Sequence, residues 1–147
     1  MNRTILLVTA FSITGLLAAE KQIALKDLPP AVRVSVEANA AGAEIKSIVK
    51  EVEKGKTLYE VETLAAGKTR DLMIDPNGHV ISVEQEVDLA SIPPAARTAI
   101  EKSAGAGKVT KVEAVTKGSD VAYEASVVSK SGKKREITVA ADGSPRK

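Results

Sequence analysis

An internal duplication constrains the fold of this 147-residue chain more than any other feature of its sequence. At an offset of 64 residues, LKDLPPAVRVSVEANAAGAEI (residues 25–45) aligns with LASIPPAARTAIEKSAGAGKV (residues 89–109), and the offset persists as far as Tyr59 and Tyr123. After one extra residue in the second copy, GKTRDLMIDPNG aligns with GKKREITVAADG. Similarity that recurs in the same order along the chain indicates two copies of one supersecondary unit. Each copy alone is of marginal size for one core, so we expect the two to join side by side.

Each copy is predicted to begin with a helix and to continue as an antiparallel meander. Aliphatic residues recur every four positions in residues 29–40 and 93–104, which is the spacing of one helix face, and each helix opens with two prolines. In the first copy the segments EIKSIVKEVE, TLYEVETL, TRDLMID and HVISVEQEV follow, with short glycine-containing turns between them. The predicted fold class is therefore α+β, with two helices on one face of a shared antiparallel sheet of about seven strands.

The amino terminus predicts export from the cytoplasm. Arg3 precedes an uncharged run that ends in small residues at Ala19, which is the layout of a cleaved signal peptide. The predicted domains are a signal peptide (1–19), a first repeat (20–88) and a second repeat that lacks the last strand (89–147). The chain has no cysteine, so it has neither disulfides nor the cysteine that a bacterial lipid anchor requires. We expect a periplasmic or secreted protein with no integral membrane anchor in its mature form.

The composition argues against nucleic-acid binding and against catalysis. A formal net charge of +2 gives no electrostatic reason to bind nucleic acid. His79 is the only histidine, and with no cysteine and no nucleophile elbow there is little from which to build a general-base site. A dyad of His79 with Asp75, and a calcium loop in DPNGHVISVEQE, are both explained more simply by a turn that leads into a strand. We expect a protein that is not an enzyme and that has no cofactor and no dedicated metal site.

The order of helix, YEV and GKTRDLMIDPNG resembles the PepSY-like family of secreted bacterial proteins, also described as β-lactamase-inhibitor-like. The resemblance covers nearly the whole chain after the signal peptide. It implies that each unit packs its helix against a four-stranded antiparallel sheet, that tandem units can form one curved sheet, and that the protein acts by binding proteins such as peptidases. Inhibition of a β-lactamase is not carried over, because inhibitor interfaces rely on aromatic anchors. Here the mature chain has only Tyr59 and Tyr123, and both are predicted to face the core.

The predicted sheet has an acidic open face. Side chains alternate between the two faces of a strand, so one set of residues should point toward the helix: Tyr59, Val61, Leu72, Ile74, Ile81 and Val83. The opposite face then carries the candidate binding residues, which are Glu60, Glu62, Asp71, Glu84, Glu86, Glu124 and Glu136. A polar open face is normal for an antiparallel sheet, but its mainly negative charge is not explained by exposure alone. The turns predict that Glu62 and Glu84 both lie opposite Asp71, while Ser126 lies opposite Glu136.

Two functions are consistent with this acidic face. The first is a secreted, non-catalytic protein-binding module, such as a modulator or inhibitor of a peptidase or another envelope protein, whose partner presents a basic segment. The alternative is a cell-envelope protein that binds a cation or a small cationic ligand. Three carboxylates on a flat sheet offer few converging oxygens for calcium, which favours a basic partner.

Overall fold

The structure is a computed structural model that describes residues 19–53 and 55–146. Eight strands form one antiparallel sheet in chain order, one more than the prediction of about seven. They are β1 (Ala19–Gln22), β2 (Glu44–Glu53), β3 (Lys56–Ala65), β4 (Lys68–Ile74), β5 (Val80–Glu86), β6 (Lys108–Lys117), β7 (Asp120–Val128) and β8 (Lys134–Ala140). The helices are α1 (Pro30–Asn39) and α2 (Pro94–Ala104), which confirms the predicted α+β class and both helix positions. The predicted signal peptide lies outside the described residues, apart from Ala19.

Both helices cover the same face of the sheet. The core under α1 is formed by Leu28, Val32, Val36, Ala40, Ile48, Tyr59, Val61, Leu72 and Ile74. The core under α2 is formed by Ile92, Ala96, Ile100, Ala104, Val112, Ala125, Val127, Ile137 and Val139. Val83 packs against the first core and Val87, four residues further on, packs against the second. An even spacing along extended chain keeps side chains on one side, so the two cores share a face and the other face is left open.

An arginine residue of the sheet donates a hydrogen bond to the carboxyl end of each helix. Arg70 donates from Nη1 to the carbonyl oxygen of Asn39 at 2.8 Å, and at the equivalent place in the second repeat Arg135 donates to the carbonyl oxygen of Ser103. The last carbonyls of a helix have no partner within the helix, so these bonds satisfy groups that would otherwise need water. The same contact in both repeats fixes where each helix ends over its strands.

Strand β5 serves both repeats. In the second repeat Glu86 of β5 pairs with Glu113, and at the equivalent place in the first repeat Gln22 of β1 pairs with Val49. The residue that follows each of these strands also donates an equivalent backbone hydrogen bond to the neighbouring strand. The segment predicted as the fourth strand of the first repeat is therefore also the first strand of the second. Because β1 is only four residues long and adjoins the predicted signal peptide, no alternating pattern marked it in the sequence.

The predicted phase of β5 is wrong at its first residues. The ladder between β4 and β5 contains an irregularity, so Ile74 pairs with Val80 and not with Ile81. Val80 packs against the first core, whereas Ile81 is 42% exposed. Leu72 pairs with Val83 as predicted, so the irregularity changes the phase only at the turn. A bulge adds one residue to one strand, and strict alternation counted from the turn does not reveal it.

Candidate functional site

The face of the sheet opposite the helices, called the open face below, carries most of the carboxylates of the strands. All seven predicted residues lie on it, because each is the chain neighbour of a residue that packs into a core. Glu51 and Glu113 join them there through their pairing with neighbouring strands. The open face is therefore acidic, as predicted, and its residues differ mainly in how far they are buried and what they contact.

Asp71 lies between two other carboxylates. It is paired with Glu62 of β3 on one side and with Glu84 of β5 on the other, which confirms both predicted registers. Its Oδ1 atom is buried and has no hydrogen-bond donor among the described residues. Burial is the main cause that raises the pKa of Asp71 to about 6; Lys111 opposes the rise, while Glu62 and Glu113 add to it. This carboxyl group therefore lacks the hydrogen bonds that normally stabilise a carboxylate in such a position.

Glu113 of β6 completes the cluster, and sequence reasoning missed it. Asp71, Glu84 and Glu113 each place one carboxylate oxygen within 4.8 Å of the others. Glu113 is only 9% exposed and is paired with Glu86 and also with Glu124 of β7. The equivalent position in the first repeat is an aliphatic residue, so comparison of the two copies did not single out Glu113 as an acidic position. Only the pairing of β5 with β6 brings it to Asp71, although the alternation in KVEAVTK could have assigned it to the open face.

Lys111 is the counter-ion of this cluster. Its Nζ atom lies 2.6 Å from Oε1 of Glu113, which makes a charge-assisted hydrogen bond. Burial alone would lower the pKa of the Lys111 ammonium group, but the hydrogen bond and charge of Glu113, with the charges of Asp71 and Glu86, outweigh it and raise that pKa. The lysine thus neutralises Glu113, and Asp71 is left with weaker compensation.

Two further carboxylates along the open face also resist ionisation. Burial is the largest cause that raises the pKa of Glu60 to about 7, and the negative charges of Glu51, Asp71 and Glu84 add to it. The pKa of Glu84 is raised by burial first and then by Glu113 and Asp71. Carboxyl groups with raised pKa values hold protons more readily and gain more than usual from an added positive charge.

Three of the remaining predicted residues accept hydrogen bonds from side chains or backbone of neighbouring strands. Glu62 accepts a hydrogen bond from Oγ of Ser47 at 3.2 Å, and Glu86 accepts bonds from the N–H of Thr69 at 3.0 Å and from its hydroxyl at 3.2 Å. Glu124 accepts a bond from Oγ1 of Thr138 at 3.3 Å, and burial, followed by Glu136 and Glu84, raises its pKa.

The structure does not bring Glu136 into the Asp71 cluster. Glu136 is exposed on β8, four strands away from Asp71, which is about 19 Å across the strands at the usual spacing. The predicted set of acidic residues therefore divides into the group around Asp71, which Glu124 adjoins through its pairing with Glu113, and Glu136, which lies apart.

His79 is a turn residue. Asp75 accepts the backbone N–H groups of Asn77 and His79, both at 2.9 Å, and its other oxygen lies 3.1 Å from Nδ1 of His79. These hydrogen bonds, led by the backbone N–H of His79, lower the pKa of Asp75. The imidazole is 77% exposed, so this pair closes a turn and does not line a cleft.

Sequence comparison does not extend these observations: no protein-family model and no curated protein matches the chain. No helix in the described part of the chain is long and apolar enough to cross a bilayer.

Solved structures share the fold. A protein assigned to the periplasm of Bacteroides eggerthii has a TM-score of 0.67 and 16% identity, and the match covers 82% of this chain and 86% of that one. A DUF2874 family protein from Bacteroides uniformis gives a TM-score of 0.66 at 15% identity, over 81% and 86% of the two chains. A BLIP-like protein from Bacteroides fragilis gives 0.58 at 22% identity, over 80% and 82%. At these identities the similarity is one of fold, and the PepSY-like resemblance stays a prediction. The chain therefore has the fold of periplasmic, DUF2874 and BLIP-like proteins of Bacteroides.

Proposed function

We propose that this protein is a non-catalytic periplasmic module that binds another protein through its open face. The observation that carries the proposal is the position of Asp71, which lies between Glu62 and Glu84 and has a buried oxygen without a donor. The fold does not require this conflict, because at the equivalent place of the second repeat Ser126 lies opposite Glu136. Because these carboxylates repel one another in the free protein, a partner that brings a positive charge to them would remove the repulsion on binding.

A lysine or arginine from the partner is the group that fits this surface. An ammonium or guanidinium group laid over Asp71 and Glu84 would place a positive charge beside carboxylates whose pKa values are raised by burial and by neighbouring carboxylates. Such contacts contribute to orientation and association rate as well as to affinity, and they weaken with added salt. We therefore propose a partner that presents a basic segment.

The fold comparisons support this class of function. The structural neighbours include a BLIP-like protein and a protein assigned to the periplasm. Within the proposed class, we infer a modulator or inhibitor of a peptidase or of another envelope protein, which is what the PepSY-like resemblance implies. The helices and core occupy one face and leave the open face available for such a partner.

A divalent cation is the second candidate ligand, because oxygens of Asp71, Glu84 and Glu113 lie within 4.8 Å of one another. Calcium takes six to eight oxygen ligands, however, and one of these three carboxylates is already paired with Lys111. Calorimetric titration of the mature chain with calcium chloride separates the two candidates, since sub-millimolar binding would favour the cation.

The proposal is tested by capture and crosslinking. The immobilised mature chain is exposed to a periplasmic extract at low salt, and a carbodiimide then couples carboxylates to amines that touch them. We expect partner lysines to be joined to Asp71, Glu62 or Glu84, and the captured protein to be released as salt is raised. The internal pair of Lys111 and Glu113 should also be coupled, which serves as the positive control for the reaction.

A matched pair of variants assigns the capture to the open face. The double variant Asp71→Asn, Glu84→Gln and the control Glu37→Gln, Glu101→Gln remove the same charge, the latter from exposed positions on the two helices. We expect the first to lose the partner and the second to keep it. Equal capture by both variants would show that the open face is only a solvated surface.

A further inference from the structure

The open face of the second repeat contains a cavity of about 260 Å³. Its floor is formed by half-buried residues of β6, β7 and β8, namely Val115, Ala122, Glu124 and Thr138. Its rim is formed by the exposed residues Lys117, Asp120 and Arg146. The cavity is near the lower end of the volumes of small-molecule sites, and it combines an apolar patch with a few charged groups, as such sites do.

The difference between the two repeats explains the cavity. Ala122 stands where the first repeat has Leu58, and Thr138 stands where it has Met73. Both replacements remove side-chain volume from neighbouring strands on the open face. The strand registers in this part of the sheet are the same in both repeats, so the smaller side chains leave space at positions where the first repeat has larger ones.

Charges of both signs surround this space. Glu124 has one carboxylate oxygen bonded to Thr138 at 3.3 Å. Arg146 is paired with Asp120 through contacts of 3.0 and 3.4 Å, and its backbone N–H donates to the carbonyl oxygen of Thr138 at 2.9 Å. Lys117 carries a positive charge near Glu84, where burial raises the carboxyl pKa and this charge lowers it. A carboxylate on the floor and an ammonium group on the rim therefore face one cavity.

We propose that this cavity binds a small zwitterion of the size of an amino acid. The ligand's ammonium group bonds to Glu124, its carboxylate bonds to Lys117 at the rim, and an aliphatic side chain lies against Val115 and Ala122. A ligand with only one charge would meet only one of these two charged groups, Glu124 or Lys117, with a group of opposite sign. This site adjoins the Asp71 cluster, because Val115 pairs with Glu84 and Glu124 pairs with Glu113. Its lining includes none of Asp71, Glu62 and Glu84, so it goes beyond the proposed protein-binding function and does not depend on it.

Three probes test the charge requirement. Amide spectra of the ¹⁵N-labelled mature chain are recorded with L-leucine, with 3-methylbutylamine and with 4-methylpentanoate, up to about 50 mM. The amine is leucine without its carboxylate, and the acid is leucine without its ammonium group. We expect leucine to shift the amides of Val115, Ala122 and Thr138 with a Kd of about 1 mM, and both analogues to bind about tenfold more weakly or not at all. No shifts with leucine, or equal affinity for the amine, would overturn the proposal.

Three variants locate the binding. Ala122→Leu installs the residue that the first repeat carries at this place, so it should fold normally and lose leucine binding. Glu124→Gln should weaken leucine binding about tenfold without weakening the binding of 4-methylpentanoate. Asp71→Asn should leave leucine binding unchanged, so a failure of the protein-binding proposal can be told from a failure of this one. Unchanged leucine binding in Ala122→Leu would place the ligand elsewhere and reject this site.

Discussion

Lys111 and Glu113 form the shortest ion pair in the described part of the chain, with 2.6 Å between Nζ and Oε1. They stand two residues apart on β6, and both side chains point to the open face, where Glu113 would otherwise have only negative neighbours in its row, Glu86 and Glu124. The lysine therefore compensates the negative charge of Glu113, whereas Asp71 still lies between like charges. This contrast between two similar positions is the basis of the first two predictions.

Replacement of Lys111 by methionine should destabilise the protein in a pH-dependent way. At pH 8 the variant leaves the largely buried Glu113 carboxylate without its counter-ion, and we expect a loss of about 1.5–3 kcal/mol in the free energy of unfolding. At pH 5 the loss should be smaller, because the surrounding carboxyl groups with raised pKa values are then largely protonated. Urea unfolding at both pH values measures the difference. Lys130→Met, on an exposed hairpin tip, is the control and should change little at either pH.

Replacement of Asp71 by asparagine should stabilise the free protein. It removes two like-charge pairs across neighbouring strands, each of which costs about 0.2–1 kcal/mol. The lost attraction between Asp71 and Lys111 offsets part of this gain. Urea unfolding at pH 8 should therefore show a net gain of up to about 1 kcal/mol, and the gain should shrink at pH 5. Glu136→Gln removes a charge that lies opposite Ser126 and serves as the control with no expected gain. A less stable Asp71→Asn protein would mean that the attraction of Lys111 to this carboxylate outweighs its repulsion by the neighbouring carboxylates.

The free protein should be more stable at pH 5 than at pH 8. The pKa values of Glu60 and Asp71 are raised to about 7 and about 6, and that of Glu84 is raised too. An acid with a raised pKa in the folded state favours folding while it is protonated, so this contribution is fully present below the unfolded pKa, near 4, and is lost as pH rises toward 7. Below pH 4 the trend should reverse, because the pKa values of Asp75 and Asp142 are lowered by turn hydrogen bonds that require the ionised form.

Thermal unfolding across pH 3 to 8 checks this expectation, and Glu60→Gln supplies the comparison. After allowance for solvent screening of a partly exposed group, Glu60 should account for about 1 kcal/mol of the difference between pH 5 and pH 8. The variant should therefore show a flatter profile than the parent protein. A parent whose melting temperature rises steadily from pH 5 to pH 8 would contradict the raised pKa values.

The sequence predicted the features of the fold that local patterns determine. The four-residue spacing of aliphatic residues located both helices, and hairpin-length connections gave the registers around Asp71, because a short turn leaves few ways to pair two strands. The bulge beside Ile74 was missed because it is set by packing of Val80 against the core, which leaves Ile81 exposed, and not by alternation. The role of Glu113 was missed because it depends on contact between the repeats, for which the comparison of one copy with the other gives no signal.

Truncation of the two tyrosines should affect stability to different extents. Tyr59 is 5% exposed within the first core, whereas Tyr123 is only partly buried at the edge of the second. We expect Tyr59→Ala to cost about 3–5 kcal/mol, because loss of a buried aromatic ring leaves a cavity, and Tyr123→Ala to cost less. Urea unfolding measures both. Since neither ring lies on the open face, each variant should still capture the partner wherever it is folded, and selective loss of capture would contradict their assignment to the core.

Substitution of Gly143 by alanine should destabilise the second repeat more than the backbone conformation alone explains. Gly143 and Gly132 have nearly equal φ angles, +83° and +82°, so alanine at either position meets the same left-handed strain of about 1 kcal/mol. A Cβ at Gly143 would lie 2.7 Å from the carbonyl oxygen of Ala95 in the first turn of α2, whereas a Cβ at Gly132 would meet nothing within 4 Å.

The difference between Gly143→Ala and Gly132→Ala in urea unfolding therefore measures how tightly this turn packs on the helix. We expect Gly143→Ala to lose at least about 1 kcal/mol more, since backbone must move to relieve such a contact. The first repeat makes the same approach between Gly78 and Ala31, at 2.6 Å, so Gly78→Ala should match Gly143→Ala and not Gly132→Ala. Equal losses at Gly143 and Gly132 would show that α2 can shift away from the turn at little cost, and that the helix position is set by the core and by Arg135 alone.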